Sequence, residues 1–111
     1  MKFTTNFISS SPGGKAGVRQ GDEIVVTTDP LSGYMLYGAI YKDGAPITIY
    51  WDGFNDGAAD GILELKTWKW QLNKNKWQAM PLPKGTYTLM VRGCETANSP
   101  ISGLWTDFVI F

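Results

Sequence analysis

The sequence contains no histidine, a single cysteine and no excess of either charge. Without histidine there is no ordinary general base near neutral pH, no histidine-dependent nucleophilic triad and no histidine-containing metal site. The lone thiol, Cys94, permits neither an intrachain disulfide nor a cysteine zinc site within one chain. It is expected to be a small residue in or after a strand. Ten basic residues balance ten acidic ones, so no net field draws the chain to nucleic acid, an anionic membrane or a cationic partner. Also missing are a dinucleotide-type glycine fingerprint, a phosphate loop and a Gly-x-Ser-x-Gly elbow. No apolar run reaches membrane-span length, and Met1 to Ile8 lacks a signal-peptide core. Taken as a whole gene product, the chain is expected in a cytoplasm unless an assembly carries it out, with no catalytic role.

What is present is a composition of short strands and tight turns: 13 Gly, 6 Pro, 43% hydrophobic and 14% aromatic residues in 111. That length fits one domain, residues 1–111, with an all-β core that needs no staple. Phe3, Thr5 and Phe7 alternate with polar neighbours as a half-buried strand, which runs out into a long loop from Ser9 to Gly21. The β-branched run Ile24 to Thr28, closed by Asp29-Pro30, reads as a central strand. Tyr34 to Lys42 and Ala45 to Trp51 flank Asp43-Gly44, the dipeptide of a type I′ hairpin. A uniform register then gives Leu36, Gly38, Ile40, Ile47, Ile49 and Trp51 the core side. It gives Met35, Tyr37, Ala39, Tyr41, Pro46, Thr48 and Tyr50 the outer side.

From Ile62 to Leu72 the apolar parity changes, with Leu63 and Leu65 on one side and Trp68, Trp70 and Leu72 on the other, which predicts a bulge or bend near Lys66. Asn73 to Lys76 predicts a turn that sets Leu72 opposite Trp77 and Trp70 opposite Ala79. Thr86 to Gly93 alternates cleanly, with Tyr87, Leu89 and Val91 inward and Thr88, Met90 and Arg92 outward. In the last strand Asp107 faces out, so Thr106, Phe108 and Ile110 face in.

Seven to nine such strands suggest an antiparallel β-sandwich. Pro83-Lys84-Gly85-Thr86-Tyr87-Thr88-Leu89-Met90-Val91, a loop, and Phe108-Val109-Ile110 resemble the last two strands of immunoglobulin-like and fibronectin-like domains of bacterial and phage surface or virion proteins. The resemblance implies an immunoglobulin-like sandwich in which Gly85-Thr86-Tyr87 turns a corner and the buried tyrosine hydroxyl bonds to nearby backbone. Trp51-Asp52-Gly53 is also similar to a motif of some bacterial members, but here the segment from Phe54 to Lys84 separates it from the corner.

Five Trp, five Tyr and five Phe exceed what a small core hides easily. Tyr37, Tyr41 and Tyr50 are expected to lie together on an accessible face suited to a protein partner or a sugar ring. Trp68, Trp70 and Trp77 share a parity that is either core packing or a ligand platform and subunit interface. Lys66, Lys69, Lys74, Lys76 and Lys84 beside them are either a solvated face or a strip for an acidic partner. Asp52, Asn55, Asp56 and Asp60 are oxygen donors of the kind calcium takes, but Phe54 breaks the EF-hand spacing and turn building accounts for the same residues. No cofactor is expected beyond that weak calcium candidate. The expected function is a structural or interaction module, a phage virion accessory protein that docks through aromatics on a protein assembly or on further copies of itself. The alternatives are a carbohydrate-binding module and an inhibitor or adaptor of a host protein.

Overall fold

Period-two alternation broken by Gly, Pro, Asp and Asn turns builds strands, and no helix occurs among the described residues. The computed structural model describes residues 2–10, 14–29, 34–52 and 59–111, with the backbone alone for Asp29, Tyr50, Trp51 and Asp52. In chain order the strands are β1 (Lys2–Thr5), β2 (Ile8–Ser9), β3 (Ala16–Val18), β4 (Ile24–Asp29), β5 (Met35–Lys42), β6 (Ala45–Asp52), β7 (Ile62–Leu65), β8 (Trp68–Asn73), β9 (Lys76–Pro81), β10 (Gly85–Cys94) and β11 (Ser102–Ile110). One sheet has the order β1-β4-β7, a second has the order β2-β3-β11-β10-β5-β6, and β8 and β9 form a hairpin apart from both. The chain is therefore an all-β sandwich whose two sheets hold nine strands, with an added two-stranded arm.

The sheets meet over one aliphatic cluster. Ile24 and Val26 of β4 and Leu63 and Leu65 of β7 pack against Leu36 and Ile40 of β5, Leu89 and Val91 of β10, and Phe108 and Ile110 of β11. Full burial of each such side chain is worth about 1.5–3 kcal/mol. Gly38 makes the close approach possible, because a Cβ there would lie 2.9 Å from Leu63 Cδ2 and 3.1 Å from the Met90 carbonyl oxygen.

The first segment changes sheets. β1 pairs with β4 from Lys2↔Asp29 to Thr5↔Val26, then the chain crosses over and Phe7 stacks on Phe108 at a centroid distance of 5.2 Å. The stretch from Ser9 to Gly21, expected as a loop, instead contains β3, which pairs antiparallel with β2 and parallel with β11. Three residues, Ala16-Gly17-Val18, are too few to show a period. Gly17 faces Val109 so closely that a Cβ would fall 1.8 Å from the Val109 carbonyl oxygen.

The parity change near Lys66 is sharper than a bulge, since the chain leaves the sheet altogether. Thr67 is fully buried; its hydroxyl donates to the Asp22 carbonyl at 2.6 Å, and its own carbonyl accepts from the Leu82 N–H at 2.8 Å. Gln20 Nε2 donates to the Leu82 carbonyl at 3.1 Å. These bonds clamp both ends of the β8–β9 hairpin to the sandwich. The radius of gyration is 14.8 Å, against about 13 Å for a compact chain of this length, in keeping with a projecting arm.

At the entry to β10, the buried Tyr87 donates its hydroxyl proton to the Pro83 carbonyl, four residues upstream, as the Gly85-Thr86-Tyr87 corner implied. Lys42 Nζ donates to the Thr86 carbonyl at 2.7 Å and lies 4.8 Å from the centre of the Tyr87 ring.

Gly17→Ala should expel β3 from β11 and cost roughly 2 kcal/mol, an overpacking penalty that lowers Tm by about 8 °C in a domain this size. Gly103→Ala, where the nearest atom is 3.5 Å away, serves as the control and should change Tm little. Equal Tm values for the two variants would rule out the close approach. Burial pushes the Tyr87 phenol above its ordinary range. The neutral hydroxyl is thus favoured in the fold, so its contribution is intact below about pH 10 and fades as pH rises through the folded-state value. Tyr87→Phe should cost about 1 kcal/mol at neutral pH. In thermal melts from pH 7 to 11, the gap between wild type and variant should narrow at the alkaline end; a constant gap would contradict the assignment.

Candidate interaction surfaces

Pleating gives every strand of the second sheet two faces, and the one turned away from the first sheet is open. Register sets its side chains in rows across β11, β10, β5 and β6. The first row is Asp107, Thr88 and Tyr41; the second is Trp105, Met90, Ala39 and Ile49; the third is Gly103, Arg92 and Tyr37. Trp105 and Tyr41 lean toward each other across β10, ring centroids 5.2 Å apart at 47°. Their cover explains why Met90 is only 7% exposed and Ala39 only 1%, although both point outward. Trp105 and Ile49 themselves stay more than half exposed. The result is a shallow hollow of about 310 Å³ lined by Tyr37, Tyr41, Ile49, Met90, Arg92 and Trp105. A second hollow, of about 330 Å³, continues past Arg92 and Trp105 to Ile101 and Gly103. Thr88 Oγ1 donates to Asp107 Oδ1 at 2.8 Å, which fixes the carboxylate at one end of the face.

Tyr37 and Tyr41 therefore lie on this face as expected, while the side chain of Tyr50 lies outside the described residues. The turn is the expected one: Asp43 and Gly44 have φ of 54° and 82°, and Lys42 pairs with Ala45. A bulge follows, because Tyr41 pairs with Pro46 whereas Ile40 pairs with Thr48, leaving Ile47 as the extra residue. β6 is an edge strand and Pro46 offers no N–H to a ladder, conditions under which bulges form. One extra residue reverses every later position. Tyr50 consequently falls opposite Gly38, Trp51 opposite Tyr37, and Ile49 moves from the assigned core side to the open face. Trp105 went unnamed among the expected site residues, although the outward parity of Asp107 two positions later already assigned it to this face.

The hairpin is the second surface. Its register is the expected one, with Leu72↔Trp77 and Trp70↔Ala79, closed by Lys74 and Asn75 at φ of 50° and 66°. Trp68, Trp70, Leu72, Trp77, Ala79 and Pro81 share one face. Trp70, Leu72 and Trp77 are 67%, 59% and 66% exposed, so core packing is set aside for them; Trp68, nearer the clamped base, is half-buried with Lys66 Nζ 5.8 Å from its ring centre. Lys69 and Gln71, on the other face, line a hollow with Lys42, Ile47, Leu82 and Lys84. The polar side is thus turned toward the sandwich and the tryptophan side away from it. The apolar surface that these three side chains leave in water is, at about 25 cal/mol/Å², worth several kcal/mol once covered.

Of the calcium candidates, Asn55 and Asp56 and the side chain of Asp52 lie outside the described residues. Asp60 Oδ1 accepts from the Ile62 N–H at 2.9 Å, a turn-building bond. No group of three or more Cys, Asp or Glu able to hold a metal occurs among the described residues. Cys94 is buried and free at the end of β10. No helix among the described residues is long and apolar enough to cross a membrane. Comparison with protein-family models, curated proteins and solved structures yields no match to this chain.

Proposed function

We propose that this chain is a non-catalytic interaction module of immunoglobulin-like type that docks on a larger protein assembly, as an accessory protein of a virion does. The observation that carries the reading is the open face of the second sheet, where Tyr37, Tyr41, Ile49, Met90 and Trp105 form a continuous apolar surface flanked by Arg92 and Asp107. Exposed aromatics beside an arginine are the composition of protein-binding hot spots. The immunoglobulin-like assignment is supported by β1-β4-β7 opposing β11-β10-β5-β6, the order in which such domains set their A, B, E strands against G, F, C and C′. The Tyr87 hydroxyl on the Pro83 carbonyl is the corresponding corner.

The reading is tested by a photo-crosslinking residue at position 105 in the cells that make the protein. Discrete protein adducts are expected from that site and none from the same residue at Thr4, exposed on the first sheet. Adducts to glycan, or equal labelling from both positions, would contradict it.

A further inference from the structure

The two exposed apolar surfaces differ in a way that makes each a fit for the other. The hairpin offers a ridge, Trp70, Leu72 and Trp77, while the open sheet face offers hollows of about 310 and 330 Å³ beside Trp105. Among the described residues nothing covers the ridge, because its clamped base and the Lys69 and Gln71 side facing the sandwich turn it outward. Charge is divided along the same line. The arm and its base, residues 66–81, hold four of the ten basic residues and none of the ten acidic ones, so the remainder carries six basic, Arg92 of the open face among them, against ten acidic. Asp43, Glu95 and Asp107, all exposed, lie about the open face, and the tip of the hairpin brings the exposed Lys74 and Lys76. A neutral chain built this way attracts its own copies when a cationic segment of one meets an anionic region of the next.

We infer that the hairpin of one copy docks, by Trp70, Leu72 and Trp77, on the open sheet face of a second copy, over Tyr41, Ile49 and Trp105. This rests on the protein-docking reading of that face and names its partner. Arg92, which lines both hollows, is in position to stack on an incoming indole. The contact is heterologous, since ridge and hollow are different surfaces, and it propagates head to tail into a chain or closes into a ring. Hairpin-to-hairpin pairing is disfavoured because it brings the lysines of two arms together. A contact by one hairpin face buries on the order of 1,000 Å² counting both partners, the low end of specific interfaces.

The test is sedimentation velocity from 1 to 200 µM on the full chain with two kinds of variant. Trp70→Ser with Trp77→Ser removes the ridge, and Trp105→Ser removes the hollow; Ile49→Lys is a second hollow variant at an exposed position, so a folding defect at 105 leaves the test intact. Wild type should grow with concentration, and each variant alone should stay monomeric. Ridge and hollow variants mixed should form a one-to-one dimer that grows no further, because one intact ridge meets one intact hollow. Three results overturn the inference: a wild type monomeric throughout, a hollow variant that still dimerises alone through its arms, or a mixture that stays monomeric. A monomeric wild type that co-sediments with vesicles containing 30% phosphatidylserine, or retains an oligothymidylate, assigns the arm to a polyanion and likewise overturns it. Crosslinks from position 105 to a different protein, with a monomeric wild type, leave the docking function standing and remove the second copy as its partner.

Discussion

The backbone alternation of β10 ties the core to the exposed face. Tyr87, Leu89 and Val91 fill the space between the sheets, so Thr88, Met90 and Arg92 must stand on the opposite side, where no further layer of the described residues covers them. Its neighbours are held in register on both sides, β11 from Gly85↔Ile110 to Gly93↔Ser102 and β5 from Thr88↔Tyr41 to Cys94↔Met35. That pairing brings Trp105 and Tyr41 within ring contact above Met90. A face assembled on the most hydrogen-bonded strand of the domain is rigid before anything binds it, which lowers the entropic cost of association.

The hairpin obeys the opposite logic. A two-stranded ribbon with no layer behind it is marginally stable in water, and this one keeps its tryptophans and leucine in solvent while fixing only its base through Thr67 and Leu82. Lysines along the arm discourage edge-to-edge pairing of its open strands. The sandwich therefore supplies the stability, and the arm supplies apolar surface that the fold itself does not use.

Much of this architecture is legible in the sequence where a long period exists. The β10 alternation, the Asp43-Gly44 turn and the Leu72↔Trp77 pairing all follow from residues within one or two strands of one another, while the Tyr87 hydroxyl bond to Pro83 was implied by the resemblance alone. What escapes has a common cause, a single-residue event that local pattern does not encode. The Ile47 bulge reverses Ile49, and the three-residue β3 depends on Gly17 meeting Val109, a partner 92 positions away. The fate of Trp70 and Trp77 was open in sequence because parity says which residues share a face and not what covers it. The parity break at Lys66 was visible, yet only Thr67 bonding to Asp22 turns it into an exit from the sheet.

The central claim is that a stable sandwich carries a separately folded, uncovered arm. Residue-resolved amide hydrogen exchange at low micromolar concentration tests it most directly. Amides of β10 and its neighbours β5 and β11 should exchange only through global unfolding, while the cross-strand amides of β8 and β9 should exchange through local opening, several orders of magnitude faster. Protection of the arm equal to that of β10 in the dilute monomer would contradict the account.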